Sequence, residues 1–252
     1  MEKTVTVTLL ANAGLLVQYN GYSILLDALQ RSENAPFSPL PPALWQEMLS
    51  ASGRFSRVDA LLFTHLHPDH FSADMTLQYL RRHPVPVVMM PRDPSVPGAE
   101  EAAALAGSHL LSLRAGAPVR YVLTPEISVL AIPTRHLDKR YHAVPHDCFL
   151  LTLGTKNLLV TADVDYTCET LSLLDGVPID AAFVNPLFFS ALLSNRFFKG
   201  ELHAKQLCVY HIPFAADDTM NMRSSVFLHA PRWDKPSRVT VLSEPLQQLT
   251  LP

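Results

Sequence analysis

Cysteine is scarce in this chain. Three cysteines stand among 252 residues, an odd number with no regular spacing, which excludes a disulfide framework. Cys148, Cys168 and Cys208 lie in or beside apolar segments, where a free thiol packs as a small hydrophobe. Long hydrophobic runs are also missing. No apolar stretch reaches the ~18 residues of a spanning helix, and the opening Met-Glu-Lys-Thr-Val-Thr-Val-Thr has no apolar core of signal-peptide length. The expected location is therefore the cytoplasm, with no membrane partner. Charge of one sign is lacking too: 20 basic against 23 acidic residues give a formal charge of −3. That balance leaves no electrostatic footprint for nucleic acid, and no Lys/Arg run marks an anionic surface. Internal repeats and low-complexity segments are absent. What is present, 48% hydrophobic residues over 252 positions, suits one domain spanning 1–252 with a large core. A small molecule is the expected partner, and a homo-oligomer is left open.

Against this background one segment stands out. His65, His67, Asp69 and His70 occur together in Thr-His-Leu-His-Pro-Asp-His, directly after the apolar run Val58 to Phe63. Histidine and aspartate are poor core residues, and burying them unpaired is costly. A transition metal removes that cost by accepting the imidazole and carboxylate lone pairs. Three further apolar runs end on a ligand type: Val129 to His136, Asn157 to Asp163 and Gln206 to His211. Strands arranged in this way deliver polar side chains to one sheet edge. The pattern reads as a metal site with enough ligands for two ions.

On these residues the chain resembles the metallo-β-lactamase superfamily, with the H-x-H-x-D-H signature at His65 to His70 and then His136, Asp163 and His211 in the family's order. The resemblance implies an α/β fold, the four-layer αββα sandwich with metals at one edge between the sheets. It further implies that His65, His67 and His136 hold one divalent metal, that Asp69, His70 and His211 hold a second, and that Asp163 bridges them. Asp27, at the end of the third expected strand, stands where members often carry an aspartate beside the metal loop. Ala162 departs from the glycine that members commonly place before the bridging aspartate. Because β-lactam-hydrolysing members generally lack that aspartate, the resemblance points to the lactonase, glyoxalase and phosphodiesterase side.

The chemistry follows from the ligand types. Imidazoles and carboxylates without a cysteine suit Zn(II), here the first expectation, and also Mn(II) or Fe(II). Two such ions ~3.5–4 Å apart share a bridging water and supply hydroxide near neutral pH. The expected function is hydrolysis of a small-molecule ester, thioester or lactone. The alternatives are a phosphodiesterase or nuclease acting on a nucleotide or RNA, and a non-enzymatic metal-binding module. Asp69 is the expected catalytic residue beyond ligation. His146, in the polar stretch 135–147 with His142, Lys139, Arg140 and Tyr141, is a second candidate, since histidine titrates near neutrality. A flap over the site is expected from 30–40. The segment 185–198, with four phenylalanines, reads as a substrate wall, a dimer surface or core.

The remaining elements follow from pattern. Early prolines and apolar periodicity predict a helix over 42–49, and Ser72 is a good N-cap for a helix reaching 82. Helices are expected also over 97–106 and near 167–174. Strands are expected at 5–10, 15–19, 22–27, 58–63, 85–90, 119–123, 127–132, 148–153, 158–161, 181–184 and 240–242. Asp217 and Asp218 read as the acidic start of a helix, with a place near the second metal as the alternative.

Overall fold

The computed structural model describes residues 3–32, 37–113, 116–189, 204–233 and 237–252. The N-terminal strands β1 (Val5–Leu9), β2 (Leu15–Tyr19) and β3 (Tyr22–Leu26) form an antiparallel meander. β4 (Ala60–Leu62), β5 (Val87–Met90) and β6 (Leu110–Ser112) then add in parallel. α1 (Pro42–Leu49), α2 (Ala73–Arg82) and α3 (Ala99–Ala106) lie between successive parallel strands, as such crossovers require. The second sheet starts with an antiparallel run of β7 (Val119–Thr124), β8 (Ile127–Thr134), β9 (His146–Leu153) and β10 (Lys156–Val160). It continues in parallel through β11 (Ile179–Val184), β12 (Ala204–Val209) and β13 (Arg238–Val241). α4 (Met222–His229) precedes β13, and β14 (Gln248–Leu251) returns to pair with β1. Among the described residues each sheet has seven strands.

Side-chain alternation along the strands builds the layers. Val5, Val7, Leu15, Val17, Ile24 and Leu26 point into a buried cluster shared with Val129, Phe149, Leu151, Leu158 and Phe183 of the second sheet. The intervening Leu16, Leu25 and Leu61 point the other way, to Leu44, Trp45, Met48, Met75 and Tyr79 of α1 and α2. On the far face Leu150, Leu159, Ala182 and Leu207 pack with Leu171 and Val226. Period-two alternation with both faces covered is the physical content of the αββα sandwich, so the expected fold class is borne out.

Several local expectations hold for the expected reasons. Pro42 stands at the first position of α1. Ser72 accepts from the Met75 N–H at the start of α2, which carries Asp74 in its first turn and Arg81 and Arg82 in its last. The helix expected to start at Asp217 and Asp218 begins at Met222, after Asn221, with the Asp218 carboxylate accepting from the Met222 and Arg223 N–H groups at 2.9 Å each. Other expectations change. The segment 169–174 is a 3-10 helix rather than an α-helix. β6 and β14 have no counterpart among the expected strands. No helix among the described residues is long and apolar enough to cross a membrane.

Candidate metal centre

The site residues stand where strands end. β3 ends into Asp27, β4 into Thr64 and His65, β8 into His136, β10 into Asp163 and β12 into His211. These carboxyl ends open on one edge of the two sheets, the place where α/β sheets bind ligands. Three of the junctions need left-handed backbone: Asp27 at φ 49°, Ala162 at φ 45° and His211 at φ 60°. A non-glycine residue there costs about 1–2 kcal/mol, and such strain collects at functional sites. Ala162 thus adopts the conformation for which glycine is the ordinary choice. Its carbonyl accepts from the Asn185 side chain at 2.8 Å, which holds the turn.

Asp27 organises the metal loop. It is fully buried, and its carboxylate accepts from the Thr64 N–H at 2.8 Å, from the Thr64 hydroxyl at 2.6 Å and from His70 Nδ1 at 2.9 Å. A turn closed by the His70 and Phe71 N–H groups on the His67 carbonyl sets Asp69 and His70 opposite His211. His70 Nε2 lies 2.9 Å from His211 Nε2 and 3.5 Å from Asp69 Oδ2. His211 Nε2 lies 3.3 Å from Asp69 Oδ2.

Two groups of donor atoms result, each with its atoms within 4.8 Å of one another: His65, His67 and His136, and Asp69, His70, Asp163 and His211. Asp163 reaches both. Its Oδ2 is 3.4 Å from His136 Nε2, 3.9 Å from His65 Nε2 and 3.6 Å from His70 Nε2, while Oδ1 is 3.3 Å from His211 Nε2. The spacing fits a metal. Ligand atoms about 2.1 Å from a shared ion stand about 3.4 Å apart in tetrahedral geometry and about 3 Å apart at right angles. His65 Nε2 and His67 Nδ1, at 3.1 Å, fall in that range. Buried His136 Nε2 and Asp69 Oδ2 have no hydrogen-bond partner, a costly state that a cation relieves. All seven expected ligand residues are therefore brought together, and they could hold two ions.

Electrostatics agree. Burial holds His65 well below the ordinary histidine range and lowers His67 as well. Their lone pairs are accordingly free at neutral pH. Burial opposes charge on Asp163 and Asp69, yet the surrounding histidines, His211 foremost for Asp163 and His70 for Asp69, hold both carboxyls below the usual range. His70 and His211 run the other way against burial, raised by Asp69 and Asp27 and by Asp163 respectively. The Nε2 atoms of His70 and His211, facing each other at 2.9 Å, mark the place where a metal substitutes for protons.

His146 requires a correction. It begins β9 rather than sitting in a loop, is 2% exposed, and does not line the cleft. Thr134 Oγ1 lies 2.7 Å from its Nδ1, and its ring centroid is 5.0 Å from that of His65 and 6.0 Å from that of His136. Burial pushes its pKa down to about 3. A neutral, enclosed imidazole backs the metal-site histidines and does not face the cleft. β9 pairs with β8 from its first residue, His146 opposite Thr134, which draws the end of the expected loop into the sheet. His142 is exposed and does not line the cleft either.

Three contacts were not foreseen. The buried Asn12 side-chain amide lies 2.8 Å from His211 Nδ1. With Nε2 turned to a metal, Nδ1 carries the proton, so the amide must present its oxygen there. Phe37 stands edge-on to His211 at 5.4 Å. Tyr141 stands edge-on to His67 at 4.7 Å and to His136 at 5.3 Å. Only the Asn12 contact is without any sequence signal, since Asn12 lies in a turn far from every motif.

The centre opens into a cleft of about 860 Å³. Ser32 and Phe37 of the expected flap line it, while 33–36 lie outside the described residues. The expected phenylalanine wall divides: Leu187 lines the cleft, and Phe188 packs in the core against Tyr166 and Trp233. Residues 190–198 of that wall lie outside the described residues.

The family model of the metallo-beta-lactamase superfamily matches residues 7–203. A search of curated proteins returns no match. Among solved structures, Igni18, a metallo hydrolase from the hyperthermophilic archaeon Ignicoccus hospitalis, is similar over 99% of this chain and 99% of its own, with TM-score 0.63 and 17% identity. CmlA, a diiron β-hydroxylase from Streptomyces venezuelae, is similar over 99% of this chain and 54% of its own, with TM-score 0.64 and 17% identity. The isothiocyanate hydrolase from Delia radicum gut bacteria covers 97% of this chain and 98% of its own, with TM-score 0.65 and 12% identity. These likenesses carry the fold, and the family match carries more: this chain belongs to the metallo-β-lactamase superfamily.

Proposed function

We propose that the protein is a binuclear metal-dependent hydrolase acting on a small-molecule ester, thioester or lactone. The observation that carries this reading is the position of Asp163, whose two carboxylate oxygens face donor atoms of both groups at 3.3–3.9 Å. His65, His67 and His136 would hold one ion, Asp69, His70 and His211 the other, and Asp163 would bridge them. Zinc fits the donor set, and iron or manganese fits it as well. When bound, such a pair activates water near neutral pH and stabilises negative charge developing on a substrate oxygen.

The chain's own residues supply the rest. Asp69 lines the cleft with its Oδ2 unpartnered and 3.3 Å from His211 Nε2, so it can take the proton of the attacking water and pass it to the leaving oxygen or sulfur. Asp27 fixes the His70 ring and Asn12 fixes that of His211. His146, closed off behind His65 and His136, acts as a positioning residue. The three cysteines are free, which suits the reducing cytoplasm.

Hydrolysis by protein loaded with zinc, manganese or iron, on a paired panel of carbonyl esters and phosphodiesters, tests this reading. Carbonyl substrates should turn over, and Asp69→Ala should lower kcat by at least about 100-fold, the low end of a general-base contribution, while the fold is retained. Turnover confined to phosphodiesters, or Asp69→Ala with near-normal kcat, would refute it.

A further inference from the structure

The walls of the cleft contrast with its floor. The floor carries the imidazoles and carboxylates. The walls are formed by Phe37, Leu137, Tyr141, Leu187, Met220 and Met222. Three of these are among the chain's exposed large apolar side chains: Tyr141 at 40%, Leu187 at 43% and Met220 at 56%. Apolar groups left in water around a concave site mark a surface that a ligand covers. Phe37 and Tyr141, each edge-on to metal-site histidines, stand as aromatic posts on two sides of the polar floor.

Charge at the rim is cancelled. Arg140 is the one cationic side chain among the described residues lining the cleft. Its guanidinium is spent on Asp138, with Nη2 to Oδ2 at 2.6 Å and Nε to both oxygens at 3.1–3.2 Å. The same guanidinium sits 5.5 Å from the Tyr141 ring. Paired in this way, the guanidinium and the carboxylate cancel each other's charge. Among the described residues lining the cleft, an anionic group on the substrate would find no cation outside an ion pair apart from the metals.

Resting on the hydrolase reading above, we infer that the substrate is an uncharged ester, thioester or lactone whose extended aliphatic acyl group lies between Phe37 and Tyr141 and against Leu187, Met220 and Met222. A cleft of about 860 Å³ exceeds what an acetyl-sized group needs and lies within the range of drug-sized ligand sites, roughly 300–1,000 Å³. Ester cleavage stays at the floor. The acyl carbon gains the water oxygen, the bond to the leaving oxygen or sulfur breaks, and the released proton goes to that leaving atom. The walls contribute affinity through apolar area removed from water, and this grows with chain length.

The experiment has two independent arms. In the first, straight-chain methyl ketones from hexanone to dodecanone, which cannot be hydrolysed, are titrated into the metal-loaded protein by calorimetry. The Kd should fall with each added methylene, by up to about fourfold, equivalent to ~0.8 kcal/mol. A methyl ketone of equal length tipped with a carboxylate at its far end, away from the carbonyl, should bind at least tenfold more weakly. Leu187→Asp and Met220→Glu, both at exposed positions, should flatten the dependence on length. In the second arm, p-nitrophenyl esters from acetyl to decanoyl are assayed for kcat and KM, and the chain-length trend should appear in KM. A Kd indifferent to chain length, or a carboxylate-tipped chain bound equally well, would overturn the inference without needing any variant to fold. Ketone binding that follows length with no ester turned over would sink the hydrolase reading and leave the wall specificity standing. Turnover with no length dependence in either arm would do the opposite.

Discussion

Replacing Asp27 by asparagine should empty one metal position and spare the other. The side chain is buried, and the two carboxylate oxygens divide their work: Oδ1 accepts from the Thr64 N–H at 2.8 Å, while Oδ2 accepts from the Thr64 hydroxyl at 2.6 Å and from His70 Nδ1 at 2.9 Å. Asparagine keeps the first oxygen and puts an amide NH2 in place of the second. The Thr64 hydroxyl can rotate and accept from it. The His70 ring cannot remain a donor there, because two N–H groups would face each other, so its proton would move to Nε2, the atom that faces Asp69 and His211. The loss is one charge-assisted hydrogen bond, about 1.5–3 kcal/mol, or roughly 10- to 150-fold in affinity at the position built from Asp69, His70 and His211. Perturbing the partner of a metal-ligating histidine elsewhere costs a similar 10- to 100-fold. His65 is linked to Asp27 only through the Thr64 hydroxyl, 3.2 Å from its Nδ1, and no hydrogen bond joins His67 or His136 to Asp27, so their position should lose less affinity than the other. Competition with a chromophoric chelator gives the two affinities separately, and 15N chemical shifts report the His70 tautomer. Equal weakening of both positions, or an unchanged His70 tautomer with full metal content, would refute the reasoning.

Two further perturbations probe the buried groups behind the site. Burial raises the Asp147 carboxyl from 3.8 to about 7, and its Oδ1 has no hydrogen-bond partner. Because the folded pKa lies above the unfolded one, the folded state holds the proton longer. Stability from this group is therefore full below about pH 4, falls as pH rises to about 7, and is level beyond. A gap of about three pH units at about 1.4 kcal/mol each limits the effect to about 4 kcal/mol. In metal-free protein, Asp147→Asn should then raise Tm at pH 8 by up to about 8–16 °C relative to the parent and have little effect at pH 4; a difference that does not change with pH would be the contrary result. His146→Ala should leave both limbs of the kcat pH profile in place and weaken the metal held by His65 and His136, since the residue is neutral and enclosed. A displaced acidic limb, measured across pH 5–9, would return His146 to the role of general acid.

The strand-end pattern of His65 to His70, His136, Asp163 and His211 was legible in the sequence because each ligand interrupts an apolar run that must be buried. The same runs made the two-sheet core legible: a residue such as Leu15 or Leu16 has little freedom once one face of its strand is covered. Local chemistry carried the helices at Pro42, Ser72 and Asp218 as well, since a cap or an N-terminal proline acts within one turn. What only the tertiary structure decided lies in contacts between segments far apart in the chain. Asn12 meets His211 and Asp27 meets His70 because two sheets bring their strand ends to one edge, and no local pattern records that approach. His146 left the loop for the core because β9 pairs with β8 from its first residue. Arg140 pairs with Asp138, two residues away, because the chain folds back on itself in a 3-10 turn. Ligand types are a matter of composition and position, which the sequence holds by itself. The shape and charge of the cleft come from several loops at once, and their arrangement exists only in the folded protein.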